Sequence, residues 1–231
     1  MDYLAVMLQY RQRQDRLLFG RCQDTCYIAK MNQTANKTSY HHGDLRASLL
    51  DAAKAMLRES AIEGLSLRKL ADRVGVSRTA PYHHFKDKNE LLCAIAEEGF
   101  SNWHTLAQRI FELPNLSAKE KYQQFIHGYI SYAADNPELY DLMFGRTIWK
   151  KKAATEQLKE VAYPSFQFQI TMTKLWQEQG LMPESEDTLR LAQVTWGTMH
   201  GIARLLIDGI YADNSHIDEM CETAANLFTT R

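Results

Sequence analysis

The feature that most constrains this chain is a short segment in which two possible helix starts lie on either side of one glycine. Ser66 precedes an apolar stripe with helical spacing, and its hydroxyl can accept a bond from an unpaired backbone N–H. Gly75 permits the left-handed backbone of a tight turn, and Ser77 offers a second N-cap just after it. The pattern predicts a helix, a turn and a second short helix that begins at Ser77. This is the layout of a helix-turn-helix DNA-binding element.

The second predicted helix carries the candidate base-reading side chains, because its N-terminal part is what meets base edges in the major groove. Arg78 can bind guanine in a bidentate manner, and Thr79 can pack its methyl group on thymine. Pro81 is compatible with a helix only in the first turn, and Phe85 is predicted to belong to the core. The further DNA-contact candidates of this segment are Ser77, Ala80, Tyr82, His83 and His84.

Candidates for DNA contact also lie outside this helix. Arg68 comes early in the first helix of the motif, where a cation can reach the phosphate backbone, although an ordinary surface arginine has the same pattern. Tyr40 and His41 begin an arm that either touches the DNA or is only polar. Imidazole is a common metal ligand, but no cysteine or carboxylate cluster with tetrahedral spacing surrounds the histidine pairs. We therefore predict neither a metal site nor a cofactor.

Residues 40–92 closely resemble the TetR family of bacterial transcriptional regulators. The resemblance lies in Tyr-His-His-Gly-Asp-Leu-Arg from position 40, Gly-Leu-Ser-Leu-Arg-Lys-Leu-Ala from 64, Gly-Val-Ser from 75 and Tyr-His-His-Phe-Lys-Asp-Lys from 82. Trp-Gly-Thr-Met-His-Gly from 196 and Leu-Leu-Ile-Asp-Gly from 205 are similar to a C-terminal ligand-domain type named for its Trp, His and Gly. The resemblance implies about nine helices, and it implies that Lys88 is the family's phosphate-binding lysine.

Composition favours an all-α protein with a substantial core. Of 231 residues 45% are hydrophobic, Gly and Pro number only 11 and 5, and the apolar spacing is helical nearly everywhere. No apolar run approaches the roughly 18 residues of a membrane helix, and basic residues follow the first apolar stretch, which is the wrong order for a signal peptide. We predict a cytoplasmic protein that contacts no membrane. Free thiols are then expected at Cys22, Cys26, Cys93 and Cys221.

Charge is distributed unevenly along the chain, although the net charge is only −1. Residues 37–90 hold 10 Lys and Arg against 7 Asp and Glu, a balance of +3. Residues 91–231 hold 12 against 18, a balance of −6. We call residues 37–90 the head and residues 91–231 the body. A modestly basic head and an acidic body fit a sequence-selective DNA-binding protein, because phosphate contacts dominate nucleic-acid affinity. Ordinary scatter accounts for the +3 equally well.

The predicted organisation has three parts. Residues 1–36 form an N-terminal extension, and we expect translation to begin at Met31. A three-helix DNA-binding domain covers residues 37–90, and a helical ligand-binding and dimerisation domain covers residues 91–231. Asp87 is predicted to cap a long connecting helix that ends before Pro114. The other predicted helices are 45–60, 117–135, 137–144, 153–179, 184–210 and 216–228.

The body is rich in aromatic and methionine side chains, which fill cores and also line adaptable apolar pockets. Pro164 should kink or split the helix at 153–179 and leave room for a cavity. The candidate pocket residues are Trp103, Phe125, Tyr129, Met143, Phe144, Phe166, Met172, Trp196, His200 and Arg204. Either Arg204 and Asp208 neutralise each other while His200 is hydrogen-bonded in the core, or all three face a ligand.

The helix at 184–210 is apolar on almost all sides from Val194 onward, which predicts burial against a partner subunit. Gly197 and Gly201 lie four residues apart and would let another helix approach closely. The predicted interface also includes Leu205 and Asp208.

The sequence therefore predicts a homodimeric transcriptional regulator that reads a near-palindromic DNA site and releases it on binding a small hydrophobic effector. No nucleophile elbow, phosphate loop, paired-carboxylate motif or metalloprotease helix is present, which argues against an enzyme. Two alternatives stay open. One is a DNA-bound structural or cell-division factor of the same fold without a small-molecule ligand. The other is a small helical enzyme in which the helix-turn-helix pattern is accidental.

Overall fold

The computed structural model describes residues 45–150, 153–211 and 216–229. Within these ranges every regular element is helical, which confirms the all-α prediction. The elements are α1 (Leu45–Gly64), α2 (Leu67–Val74), a 3₁₀ helix (Ala80–His83), α3 (Lys88–Glu112), α4 (Ala118–Asp135), α5 (Pro137–Phe144), α6 (Glu156–Glu178), α7 (Thr188–Ile207) and α8 (Ile217–Phe228). None of the helices described could span a membrane. The predicted N-terminal extension, Tyr40 and His41 lie outside the described residues.

The first helix of the motif begins and ends as predicted. The Ser66 hydroxyl accepts a bond from the Lys69 backbone N–H at 3.2 Å, which caps α2. Gly75 ends α2 in the left-handed region, with φ 78°. Helix α1 extends past its predicted end at residue 60, but its backbone leaves helical geometry at Ser60 and Ala61, where φ of Ala61 is 52°. The prediction therefore placed the interruption correctly and missed the short turn after it.

The second helix of the motif differs from the prediction, because it is a single 3₁₀ turn that Ser77 does not cap. In an α-helix capped by Ser77, Pro81 would be the first residue to bond back to the Ser77 carbonyl, and proline has no N–H. The turn is closed instead by the Ala80 N–H, which donates to the Ser77 carbonyl at 3.0 Å. The Ser77 hydroxyl bonds to the Thr79 hydroxyl at 3.1 Å.

Helix α3 is the central element of the fold. The Asp87 carboxylate accepts from the Glu90 backbone N–H at 2.9 Å and caps the helix as predicted. Its side chains are buried in its first turns, as at Leu91 and Ile95, and again further along, as at Trp103. Helix α3 packs against α4, α5 and α6 in the body and also against α1 in the head. One continuous helix therefore joins the motif to the body.

Helix α6 runs without a break from Glu156 to Glu178 and has Pro164 inside it. Of the two predicted effects of Pro164, a kink or a split, the split is therefore wrong. Proline removes one backbone bond, but the turns on both sides keep theirs, and α6 is held along its length by packing against α3 and α7.

The two cysteines in the described part of the chain, Cys93 and Cys221, are both buried and free. Burial raises the pKa of the Cys93 thiol, and it raises the pKa of Cys221 to about 11. Both are therefore protonated, unreactive thiols at neutral pH. Cys22 and Cys26 lie outside the described residues. Those residues also contain no group of three or more side chains able to hold a metal ion.

The turn at Gly75 gives a direct test of the head's geometry. A Cβ at this position would touch no neighbour within 4 Å, so the change Gly75→Ala introduces only backbone strain from the positive φ. We expect the free energy of unfolding to fall by about 1 kcal/mol, measured as a lower urea midpoint at unchanged slope and fixed protein concentration. Gly75→Asn should lose less, because asparagine tolerates the left-handed region. An unchanged midpoint in the alanine variant would contradict this geometry.

Candidate nucleic-acid interface and cavity

The segment 77–84 presents most of its predicted DNA-contact side chains to solvent. Ser77, Thr79 and His83 are exposed, and Tyr82 is 50% exposed despite its aromatic ring. Ala80 and His84 are half-buried. Phe85 is 1% exposed and belongs to the core, as predicted. We call the exposed residues Ser77, Arg78, Thr79, Tyr82 and His83 the reader.

Arg78 is the most prominent cation of the reader. Its side chain is 72% exposed, and its Nε lies 3.5 Å from an Asp72 carboxylate oxygen. A long, solvated ion pair of this kind is weak, so it can be exchanged for a stronger partner at little cost. A guanidinium in this state can form bidentate hydrogen bonds with a base edge or a phosphate.

The other predicted basic contacts have different surroundings. Arg68 is exposed in the first turn of α2, on the same helix-turn-helix unit as the reader. Lys88 is half-buried, and its ammonium donates to the Ile62 carbonyl at 2.5 Å. This bond ties the start of α3 to the end of α1, and an ammonium group has two further N–H donors.

Ion pairs that the sequence analysis did not predict fix the helices of the head to one another. Arg73 forms a bidentate pair with Glu59, at 2.5 and 2.7 Å, and joins α2 to α1. Lys54 contacts Glu98 at 2.6 Å and joins α1 to α3. The partners are 14 and 44 residues apart along the chain, so no short-range pattern indicates them.

The body contains a partly open cavity of about 270 Å³. Its walls come from α3, α4, α5, α6 and α7 and from the segment that follows α5. Seven of the predicted pocket residues line it: Trp103, Tyr129, Met143, Phe144, Phe166, Trp196 and His200. The sequence analysis missed six others: Phe100, Trp149, Ala162, Tyr163, Ser165 and Gln169. Residues 162, 165, 166 and 169 share one face of α6, so helical spacing is the signal that could have found most of them.

Three predicted pocket residues do not line the cavity. Phe125 packs against Trp103, Phe111 and Trp176 in the aromatic core. Met172 is fully buried. Arg204 is bound to two carboxylates: it contacts Asp141 closely and Asp208 at 2.6 Å. The placement of Arg204 at the pocket is therefore wrong, because the α5 carboxylate, distant in sequence, draws its guanidinium away.

A chain of hydrogen bonds runs along one wall of the cavity. The Trp196 indole N–H donates to the Tyr129 hydroxyl at 2.9 Å. Tyr129 and Tyr140 bond through their hydroxyls at 2.8 Å, and Tyr140 bonds to His200 Nδ1 at 2.5 Å. Burial raises the pKa of both tyrosines. Burial also lowers the pKa of His200, and the Arg204 guanidinium lowers it further, so this chain is uncharged at neutral pH.

These contacts combine the two predictions made for His200, Arg204 and Asp208. Arg204 and Asp208 form an ion pair, as in the first prediction. His200 is hydrogen-bonded to Tyr140, and it also lines the cavity, as in the second.

The outer face of α7 is open around its two glycines. A Cβ added at Gly197 or Gly201 would meet no described atom within 4 Å. Val194, one turn earlier, is 57% exposed. Of the other predicted interface residues, Leu205 is half-buried and Asp208 is exposed.

The first residues of α3 and α6 are joined by polar contacts. The Asn89 side-chain amide donates to the Ala153 carbonyl at 2.7 Å, and the Cys93 thiol contacts the same carbonyl at 3.5 Å. One turn along α3, Glu97 accepts from the hydroxyl of Thr155, the N-cap of α6, at 3.4 Å. Helix α6, which lines much of the cavity, therefore begins in contact with α3, the helix that follows the reader.

Two family models match the chain in agreement with this geometry. Residues 49–95 match the model for bacterial regulatory proteins of the tetR family, and residues 122–228 match the tetracyclin repressor-like C-terminal domain. The chain belongs to the TetR family. TetR-family proteins are DNA-binding transcription regulators and not enzymes. This confirms the prediction of a DNA-binding regulator that was made from the helix-turn-helix pattern.

Curated TetR-family relatives match over part of the chain only. The tetracycline repressor protein class D of Escherichia coli is 38% identical over 81 residues, which cover 35% of this chain and 34% of that protein. The repressor AcnR of Corynebacterium diphtheriae is 42% identical over 53 residues, 23% of this chain and 28% of that protein. These matches thus span about a third or less of the curated relatives.

Solved structures match over most of the chain. A Rhodococcus protein of unknown function is 34% identical, with a TM-score of 0.72 and coverage of 83% of this chain and 97% of that one. The TetR-family regulator PfmR of Thermus thermophilus is 20% identical, with a TM-score of 0.57 and coverage of 78% and 95%. The second likeness supports the fold alone.

The hydrogen-bond chain makes a prediction about stability. Tyr140→Phe removes the hydroxyl between Tyr129 and His200 and leaves their buried polar atoms without that partner. We expect the free energy of unfolding to fall by about 1–3 kcal/mol. Tyr163→Phe is the matched control, because Tyr163 is mostly exposed, and it should change stability by less than about 0.5 kcal/mol. Equal urea midpoints for the two variants would argue against the chain.

Proposed function

We propose that this chain is a homodimeric, sequence-specific DNA-binding repressor that a small hydrophobic effector releases from its operator. The observation that carries the proposal is an exposed reader in the same compact unit as an aromatic cavity, with α3 reaching both. The domain limits 37–90 and 91–231 are part of this proposal, with α3 as the shared helix.

DNA recognition is proposed to use two sets of side chains. Arg78 and Thr79 would contact base edges, with Tyr82 and His83 beside them, because they are exposed on the turn that follows Gly75. Arg68 and Lys88 would bind phosphates and fix the orientation of the head, with Tyr40 and His41 as further contacts. The charge balance of the head is positive and that of the body is negative, which favours approach of DNA to the head.

Dimerisation is proposed to bury the open face of α7. Gly197 and Gly201 leave space that no described residue fills, and Val194 exposes apolar surface beside them. Close approach of a second α7 would cover this surface and bring two backbones into contact. A two-fold dimer would then place two readers on successive major grooves, with half-sites roughly 34–36 Å apart or a multiple of that distance.

Release is proposed to begin in the cavity and reach the reader through α3. Phe100 and Trp103 of α3 line the cavity, and α3 begins two residues after Lys86, close to the reader. The contacts of Asn89 and Glu97 with the start of α6 provide a second connection. A swing from nearly full to nearly empty operator requires about 5.5 kcal/mol of differential binding.

The decisive experiment is selection of sequences from a random duplex pool by the purified protein at near-physiological salt. Recovery of one near-palindromic motif supports a dimeric, specific regulator. Salt-sensitive binding without a motif would favour the structural or cell-division factor, which the cavity already disfavours because such a factor requires no ligand space. Absence of DNA binding even at low salt would reopen the enzyme alternative.

Arg78 gives the first prediction on DNA binding. Arg78→Ala should remove discrimination at one base pair of each half-site, about 1–3 kcal/mol, which is roughly 5- to 150-fold in relative affinity. Fluorescence anisotropy with matched and single-mismatch duplexes measures it. Arg190→Ala, an exposed arginine in the body, is the matched control and should leave discrimination unchanged. A dimer that dissociates in the Arg78 variant would contradict the proposed role of this side chain.

The glycine pair gives the second prediction. A Cβ at Gly197 meets no described atom within 4 Å, and Gly197→Leu replaces a poor helix former, so the subunit itself should not lose stability. The leucine side chain would fill the space that the partner helix needs, so the dissociation constant of the dimer should rise. Sedimentation equilibrium measures this shift, with Glu178→Leu, an exposed position on α6, as control. An unchanged dimer would exclude this face as the interface.

A further inference from the structure

The cavity combines apolar walls with a few polar atoms, and no residue among those lining it carries a formal charge at neutral pH. Its polar side chains include Ser165, Gln169 and His200. Which hydrogen-bonding role each can offer follows from the bonds it already makes. The inference below rests on the proposed effector site.

The direction of the Trp196–Tyr129–Tyr140–His200 chain assigns the proton on His200. An indole N–H can only donate, so the Tyr129 oxygen accepts from Trp196. If Tyr140 also donated to Tyr129, the buried Tyr129 hydroxyl would have no acceptor, which is costly. Tyr129 therefore donates to Tyr140, and Tyr140 donates to His200 Nδ1.

His200 is therefore a hydrogen-bond donor toward the cavity. Burial and the nearby Arg204 keep its imidazole neutral, and Nδ1 accepts from Tyr140, so the remaining ring proton is on Nε2. No described residue accepts from this Nε2–H.

Gln169 has the opposite role. Its side chain is only 6% exposed, and its amide nitrogen donates to the Ala192 carbonyl at 3.1 Å and to the Thr195 hydroxyl at 3.3 Å. Both bonds fix the amide so that Oε1 is left as an acceptor, and no described residue donates to it.

Ser165 adds a hydroxyl on the same face of α6, one turn before Gln169. Its oxygen is buried and has no partner among the described residues. An unpaired buried hydroxyl is unfavourable, and a bound molecule that bonds to it would remove that penalty.

We infer that the cavity binds a neutral, compact ring molecule that carries one hydroxyl group, held by His200, Gln169 and Ser165. A hydroxyl can accept from His200 Nε2–H and donate to Gln169 Oε1, whereas an ether only accepts and a hydrocarbon does neither. A carboxylate cannot donate to Gln169, and it would be buried without a cation. The cavity of about 270 Å³ lies just below the usual range for drug-sized ligands, which favours one or two rings.

The test compares four molecules of one shape by titration calorimetry on the full chain: 2-naphthol, 2-methoxynaphthalene, naphthalene and 2-naphthoate. We expect 2-naphthol to bind about tenfold or more tightly than naphthalene, with the ether between them and the carboxylate weakest. Equal affinity for naphthol and naphthalene, or tightest binding of naphthoate, would overturn the inference and leave the proposed effector site intact.

Ser165→Ala tests the assigned contact. The variant removes an unpaired group, so the ligand-free protein should melt no lower than the parent, while its affinity for 2-naphthol falls several-fold and its affinity for naphthalene does not fall. Thr171→Ala, at an exposed position of α6, is the matched control and should change neither affinity. Equal loss for both ligands would show a packing effect and contradict the assigned contact.

Operator binding by the same preparation separates this inference from the proposed function. If the protein selects a DNA motif but binds none of the four molecules up to their solubility limits, the inference and the effector response both fail and the DNA-binding role stands. If 2-naphthol binds as expected and no motif is selected, the inference stands and the DNA-binding role fails.

Discussion

The burial of α3 is the constraint on which the rest of the structure depends. The helix begins at Lys88, directly after the motif, and Leu91 and Ile95 of its first turns are buried in the core. Further along, Phe100 and Trp103 form part of the cavity wall. Close-packed interiors pass on displacement and do not absorb it. A molecule that pushes on the middle of α3 therefore acts on the same rigid element that positions the reader.

The polar chain behind the cavity is a second constraint, because it lies inside an aromatic cluster. Trp196, Phe144 and His200 form ring contacts with one another, with centroids 5.5 to 5.8 Å apart. A polar group in such a place is tolerated only when its bonds are made. The chain satisfies its internal donors and leaves the His200 Nε2–H unbonded at the cavity surface. The cavity wall can therefore discriminate between ligands by hydrogen bonding although it carries no charge.

Local signals in the sequence predicted the helix boundaries well, because caps and turns depend on neighbouring residues. Ser66, Gly75 and Asp87 have the predicted roles. The effect of Pro81 was harder to predict, because it depends on where the helix starts. In an α-helix capped by Ser77, the N–H that proline lacks would have made the first backbone hydrogen bond of the helix. The placement of Arg204 failed for another reason: its partner Asp141 is 63 residues away, and no pattern along one helix indicates which carboxylate a guanidinium will reach.

Helix α7 links the two proposed activities of the body. Trp196 and His200 face the cavity, while the next residues in the chain, Gly197 and Gly201, about 100° further around the helix, face open space. The proposed effector and the proposed partner subunit would therefore contact neighbouring faces of one helix. A ligand that displaced Trp196 would displace Gly197 with it, because adjacent residues of a helix cannot move independently. Under the proposed function, effector binding would then change the subunit interface as well as α3, and both changes would alter the spacing of the two readers.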